Sequence, residues 1–321
     1  MEQQQTIMKK NKFQKAEDLW RLPADSPSLY TSQPNPAANY AEAVRRVEGK
    51  IAAEVNFNLA NHTFLLTHGF KTDKSIAFVH GYVSGPAPFK EIAAQFFDRG
   101  YNVLAMTMPY HGLADRMNTE HEKLRAEDLV HYADSVVDIA RGLGDRVTIV
   151  GISLGGLITG WAAQQRQDLG RAVLISPGFG FKAISRFWTP IMGWAFRVLP
   201  NSYMWDDPQK KADSLRPYNY LRLSTHVLGQ ILRFSRSIQI SAQRKAPATK
   251  SIAVITNLND PAVDNIRTND VVNLWRTRWA KEVQTYQFPA DLGLGHDIIS
   301  VDDPNMNVAV VYPKLFEMID R

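Results

Sequence analysis

The chain has 321 residues, 45% hydrophobic and 21% charged, with a net charge of +5. This fits a soluble globular protein with a large core, either one α/β domain with an insertion or two ordinary domains. It has no cysteine, which excludes a disulfide framework, a thiol nucleophile and a thiolate-bound metal and suits a reducing compartment.

No run of about 18 apolar residues occurs, so no membrane span is expected. The polar, basic start MEQQQTIMKKNKFQK lacks the apolar core of a secretory signal, and a cytoplasmic location is expected. Residues 1–36 carry Pro23, Pro27, Pro34 and Pro36 among polar residues and read as an irregular arm. Ala38, Ala41, Val44 and Val47 suit a short helix over 37–50. AEVNFNLA and HTFLLTHGF read as paired edge strands, and SIAFVHGY as the first central strand. PFKEIAAQFFDRG puts Phe89, Ile92, Ala93 and Phe96 on one helical face and stops at Gly100. YNVLAMTMP is the next strand. A helix follows, with Leu129, Ala133, Val136, Val137 and Ala140 on one side.

RVTIVGISLGGLITG comes next. Val147 to Val150 form a short buried strand, and Leu154, Leu157, Ile158 and Trp161 a helical stripe. Between them Gly151 to Gly155 fit G-x-S-x-G. A serine in so sharp a strand-to-helix turn holds its hydroxyl clear of the backbone, and the flanking glycines remove Cβ atoms that would clash. A glycine-rich turn before an ordinary helix has the same letters. RAVLISPGF is the next strand. KSIAVITN and EVQTYQF read as two more, with a helix over 267–281 between them, and a last helix starts near Val308. Strands alternating with amphipathic helices imply a mostly parallel sheet with helices on both faces. Ligands then bind at the carboxyl ends of the strands.

The alternation breaks over 180–245. FKAISRFWTPIMGWAFRVLPNSYMW is aromatic and interrupted by Pro190 and Pro200. YNYLRLSTHVLGQILRFSRSIQI reads as a longer helix with Leu221, Leu228, Ile231 and Leu232 on one side. This is expected to be a helical cap insertion over the strand ends. The expected division is an arm and short helix over 1–50, a core over 51–179 and 246–321, and a cap over 180–245. Residues 180–250 hold twelve Lys or Arg against three Asp. Such a basic face suits an anionic lipid surface, an anionic substrate or plain solvation. No feature of the pattern asks for nucleic acid.

A serine nucleophile needs a base, and the base needs a group to orient it. VITNLNDPAVDN turns at Asn259-Asp260-Pro261 after one late strand, and YQFPADLGLGHDIIS reaches His296 after the next. The order Ser153, Asp260, His296 suits a nucleophile elbow on such a sheet. Asp260 equally suits a turn before Pro261, and Asp264 is a second acid four residues on. Seven other histidines are present, His68, His80 and His111 among them. A developing oxyanion needs two aimed N–H donors. The amide of Leu154, just after the serine, and that of Tyr82 in FVHGYVSGPAPF are the candidates. His80 reads as a buttress of that loop at the edge of the pocket.

VHGYVSGP, MPYHGLAD, GISLGG and the NDPAV … GLGHD pair resemble the serine α/β-hydrolases, in particular the carboxylesterase and monoacylglycerol-lipase-like branch with its S33-type serine aminopeptidases. The resemblance covers about residues 51–320. It implies the α/β-hydrolase fold, supports Tyr82 in the oxyanion loop and favours Asp260, at the head of D-x-x-V, over Asp264. One departure is Tyr110-His111-Gly112, where the family has glycine-histidine-glycine; it places Tyr110 at the pocket rim. The expected reaction is hydrolysis of a small-molecule carboxylic ester through an acyl-enzyme, with no metal or organic cofactor. Phe187, Trp188, Met192, Trp194 and Phe196 either line an acyl pocket, which suits monoacylglycerols or lysophospholipids, or pack the insertion onto the core. An amidase or peptidase, or an acyltransferase, would keep the same catalytic residues. A non-catalytic binding homologue need not keep them.

Overall fold

The strands fall into register around the apolar run that precedes Ser153. The computed structural model describes residues 27–211 and 216–320. The strands of the main sheet are β1 (Phe64–Leu66), β2 (Thr72–Val79), β3 (Asn102–Ala105), β4 (Gly144–Ile152), β5 (Arg171–Ile175), β8 (Ser251–Asn257) and β9 (Val283–Phe288). Between β5 and β8 the chain adds a separate hairpin of β6 (Tyr203–Trp205) and β7 (Arg222–Ser224). The sheet order is β1-β3-β2-β4-β5-β8-β9. Only β1 runs antiparallel, against β3; every other neighbouring pair is parallel.

A parallel sheet must bury both faces, and β4 alternates accordingly. Val147 and Ile149 join one core with Leu129, Ala133 and Val136 of α3 (Ala126–Leu143) and Leu157, Ile158 and Trp161 of α4 (Leu154–Gln165). Val150 and Ile152 join the other, with Ile92 and Phe96 of α2 (Lys90–Asp98) and Val311 and Leu315 of α8 (Val308–Ile319). From β2 the chain crosses to β3 on one side and then returns to β4 on the other. The strand order therefore reverses at β2 and β4, which opens a crevice at their carboxyl ends.

The short N-terminal helix is α1 (Tyr40–Ala52), capped by the Asn39 side chain, which accepts the Glu42 amide at 3.0 Å. Of the expected arm, residues 1–26 lie outside the described residues. Residues Pro27–Tyr30 form a 3-10 turn and 31–36 are irregular, and the whole stretch is pinned. Trp161 Nε1 donates to Leu29 O at 2.8 Å, and the amides of Gln33 and Asn35 donate to Asp134 and Asp138. Arg166, fully buried, bridges the same two carboxylates.

Two expected elements differ. AEVNFNLA is not a strand: Asn56 sits at φ 61 and the Asn58 side chain accepts the Ala60 amide, which starts a 3-10 turn instead. The pair that does form is β1 with β3. The helix expected across YNYLRLSTHV begins only at Thr225, because Ser224 caps it and residues 222–224 are used as β7. The stretch between β5 and β8 thus holds α5 (Thr189–Val198), the β6–β7 hairpin and α6 (Thr225–Arg244), with residues 212–215 outside the described set. The helix between β8 and β9 is α7 (Asn265–Asn273), extended by one π-type turn over Leu274–Arg278.

Candidate active site

Ser153 sits between β4 and α4 at φ 58, ψ −116, a conformation that costs a non-glycine residue about 1–3 kcal/mol. The packing leaves no room for a gentler corner. A Cβ on Gly151 would lie 2.1 Å from Gly155 O, and one on Gly155 would lie 2.0 Å from Val79 O. Both glycines are therefore required by close backbone approach. Other non-glycine residues with positive φ stand in the loops after neighbouring strands: Val83 after β2, Tyr110 after β3 and Ser176 after β5. For a β-branched residue such as Val83 this is a true outlier. Sequence reasoning did not single out Val83 or Ser176, since neither letter signals a left-handed backbone.

The loop after β2 lies against the serine: a Cβ on Gly81 would stand 3.9 Å from Ser153 Oγ. His80 is buried, with Nδ1 donating to Gly81 O at 2.8 Å and Nε2 accepting the Met108 amide at 2.9 Å. Burial pushes its pKa down to about 4, so it is a neutral strut with both nitrogens committed. The Tyr82 amide enters no backbone hydrogen bond among the described residues. Leu154 is the first residue of α4, so its amide has no acceptor within the helix. Both amides are thus without a backbone acceptor among the described residues, one at the start of α4 and one in the loop after β2. The Tyr82 phenol points elsewhere, pairing with His121 Nδ1 at 2.7 Å and accepting the Ser224 amide at 3.0 Å.

Asp260 and His296 leave β8 and β9, which are adjacent and parallel. His296 Nδ1 donates to both carboxylate oxygens of Asp260, at 2.8 and 3.0 Å. The carboxylate is fully buried and also accepts the amides of Ala262 and Val263. Burial pushes the Asp260 carboxyl up, but His296 and those amides outweigh it, so its pKa lies below the usual range. Burial likewise pulls His296 down, while Asp260, helped by the charge of Asp297, holds it above the ordinary histidine value. Asp264 is occupied elsewhere: it caps α7 through the Ile266 amide and faces Arg267. The structure joins His296 to Asp260. It places no hydrogen bond between His296 and Ser153, whose Oγ has no partner among the described residues.

The remaining predicted site residues lie farther out. Tyr110 is 39% exposed. Phe187, Trp188 and Trp194 are 71%, 54% and 39% exposed, so a large part of each ring faces solvent. Met192 is half-buried. Phe196 faces inward, against Gly229 of α6. Among the described residues, no group of three or more His, Asp or Glu is placed to hold a metal ion. No helix among them is long and apolar enough to cross a membrane.

The profile of the alpha/beta hydrolase family matches residues 76–309. The chain belongs to that family. The match spans the sheet from β2 onward and every residue placed around Ser153. No curated protein matches the chain in sequence. Solved structures similar to this alpha/beta hydrolase include one described under the metagenome-derived lipolytic enzymes LipS and LipT. It is 15% identical, with a TM-score of 0.61, and the match covers 82% of this chain and 98% of that one. A soluble variant of monoglyceride lipase from Saccharomyces cerevisiae is 13% identical, with a TM-score of 0.58 over 80% and 89% of the two chains. Monoacylglycerol lipase from Paleococcus ferrophilus is 16% identical, with a TM-score of 0.55 over 74% and 90%. At such identities the likeness is one of fold.

Proposed function

We propose that the protein is a serine hydrolase of carboxylic esters, with Ser153 as nucleophile, His296 as base and Asp260 as the group that orients it. The observation that carries this reading is the strained serine turn after β4 together with the Asp260–His296 pair in the loops after β8 and β9, all at the carboxyl ends of one parallel sheet. His296 takes the proton of Ser153 as Oγ attacks the ester carbonyl. The amides of Leu154 and Tyr82 receive the oxyanion. His296 then gives the proton to the leaving alcohol. A water, deprotonated by the same imidazole, attacks the acyl-enzyme and releases the acid. Asp260 holds Nδ1 protonated, so that Nε2 is the basic nitrogen, and stabilises the imidazolium.

The stretch from α5 to α6 acts as a cap over this site, and its apolar surface favours esters with an apolar acyl chain, monoacylglycerols among them. The basic excess of residues 180–250 and the exposed aromatics Phe187 and Trp188 just before α5 and Trp194 within it support contact with an anionic lipid surface. The experiment is labelling with a fluorophosphonate probe, followed by a panel of esters of graded acyl length. Wild type should be labelled at Ser153 and should prefer longer esters, and Ser153→Ala should take no label. Labelling elsewhere, or none, would overturn the nucleophile. Turnover of anilides above that of matched esters would replace the esterase by an amidase.

A further inference from the structure

The catalytic histidine stands on a loop with little regular structure. From β9 the chain passes through a 3-10 turn over Ala290–Leu292, a left-handed Gly293 and Gly295 before it reaches His296. The Asp260 carboxylate, by contrast, is held by two amides of its own turn. The loop therefore needs an anchor of its own if the 2.8 Å contact is to persist. Asn257 supplies one. It is the last residue of β8, paired with Phe288 at the end of β9, and is fully buried. Its Nδ2 donates to Leu294 O at 2.8 Å and to Gly295 O at 2.7 Å, the carbonyls just before His296. Its Oδ1 accepts the Asn259 amide at 3.1 Å, and its backbone oxygen accepts the amide of Asp260 at 3.2 Å. Two carbonyls on one side and an amide on the other admit one orientation of the carboxamide, with both of its donors used.

We infer that Asn257 is a positioning residue, a staple that holds the His296 loop against the Asp260 turn. This rests on the proposed Ser153–His296–Asp260 chemistry. The staple touches neither substrate nor reacting atoms. It acts by keeping Nδ1 of His296 within hydrogen-bond reach of the carboxylate. Without the two donors, the carbonyls of Leu294 and Gly295 lose their buried partner and the loop is free to shift. A misplacement of about 1 Å is enough to cost roughly 100-fold in rate.

The test compares Asn257→Ala and Asn257→Thr with wild type. Thr keeps a strand-favouring side chain of similar bulk but cannot serve both carbonyls. Neither change alters charge, so the other groups that act on His296, namely Asp297, Arg216 and Asp206, are untouched. For each protein, kcat and KM are measured against pH, and the low-field proton resonance of His296 Nδ1 is recorded. The expected result is a fall in kcat of about 100-fold with KM nearly constant. The acid limb should move down toward the ordinary histidine value, and the low-field resonance should be lost. Asn259→Ala, which breaks only a contact to Ala290 O in the same pair of loops, should change neither readout. An unmoved acid limb with the resonance intact would overturn the staple, whatever happens to stability. Failure of wild type to react at Ser153 would overturn the serine reading alone, because the resonance reports the histidine–aspartate pair without any turnover.

Discussion

Tyr82 and Ser224 meet at one hydrogen bond: the phenol oxygen accepts the Ser224 amide at 3.0 Å. Ser224 is the last residue of β7 and the N-cap of α6, so the bond ties the loop after β2 to the stretch inserted between β5 and β8. A second tie lies one residue on, where the Tyr220 amide donates to Val83 O at 2.8 Å. Val83 is held at φ 60, and a strained turn persists only when its surroundings over-determine it. Tyr82→Phe keeps the ring and removes the oxygen. It leaves the Ser224 amide and His121 Nδ1 without their partner, at a cost of about 1–3 kcal/mol. The expected outcome is a lower unfolding free energy with a drop in kcat that exceeds the change in KM, since the loop also carries the proposed oxyanion amide. Denaturant unfolding together with steady-state kinetics checks both. Full stability with full activity would mean that the joint is redundant.

The elbow predicts a contrast between two neighbouring alanines. Ser153→Ala removes only an oxygen that has no hydrogen-bond partner among the described residues, so fold and stability should be kept. Activity should fall by about 10⁴-fold or more. Gly155→Ala puts a methyl where Val79 O lies 2.0 Å away. Backbone is the obstacle, so β2 and α4 must part. The expected outcome is insoluble or strongly destabilised protein. Circular dichroism melts of the two variants separate them, and a Gly155→Ala protein as stable as wild type would contradict the packing described here.

Much of this architecture is legible because the apolar periods are clean. Phe89, Ile92, Ala93 and Phe96 recur at helical spacing and are all fully buried. Residues 147–150 form an unbroken β-branched run, which suits a strand buried on both faces. What escapes the sequence has identifiable physical causes. AEVNFNLA has strand-like alternation, but asparagine side chains compete for the backbone and win. Tyr218 to Ser224 continue the apolar pattern of α6, yet the Ser224 cap decides where the helix begins. Asn257 looks like turn punctuation at the end of SIAVITN. Its value comes from Leu294 and Gly295, nearly forty residues away, and no local pattern encodes that. The surface exposure of Phe187 and Trp188 is equally hidden, since an aromatic run reads the same whether it faces a core or solvent.

The Asp260–His296 pair sets the direction of the pH dependence. The folded pKa of His296 lies above its ordinary value, and the base must be neutral to act. Activity should therefore rise with pH through an acid limb centred above about 6.5. Asp260→Asn removes the charge that raises His296 while burial still lowers it, so the limb should move to lower pH. The amide can also hold the wrong tautomer, and kcat should drop by about 10⁴-fold. The measurement is kcat/KM from pH 5 to 9 for both proteins. A limb that stays in place in Asp260→Asn would assign it to another group.

The outer face of α5 makes the last prediction. Ile191 and Val198 are 48% and 54% exposed, Leu199 is 57% exposed, and Phe187 packs edge-on against Trp188 at 5.2 Å beside them. The other side of the helix is fully engaged with α6, where Gly193 meets Leu232 and Gly229 meets Phe196 and Arg197. An exposed apolar face of this kind suits an apolar partner. The twelve basic residues of the surrounding stretch favour an anionic one. Vesicles containing phosphatidylglycerol should bind the protein more tightly than pure phosphatidylcholine, and added salt should weaken the difference. Burying an isoleucine or leucine side chain contributes about 1.5–3 kcal/mol. Ile191→Ser or Leu199→Ser should then weaken vesicle binding by roughly tenfold or more each. Hydrolysis of a soluble short-chain ester should stay the same, since neither residue belongs to the proposed pocket, while hydrolysis of long-chain ester presented in vesicles should fall. Co-sedimentation with the two kinds of vesicle reads the first effect and parallel ester assays read the second. If both variants sediment like wild type, the α5 face is not where lipid is met, and the basic excess would be left as a solvated surface.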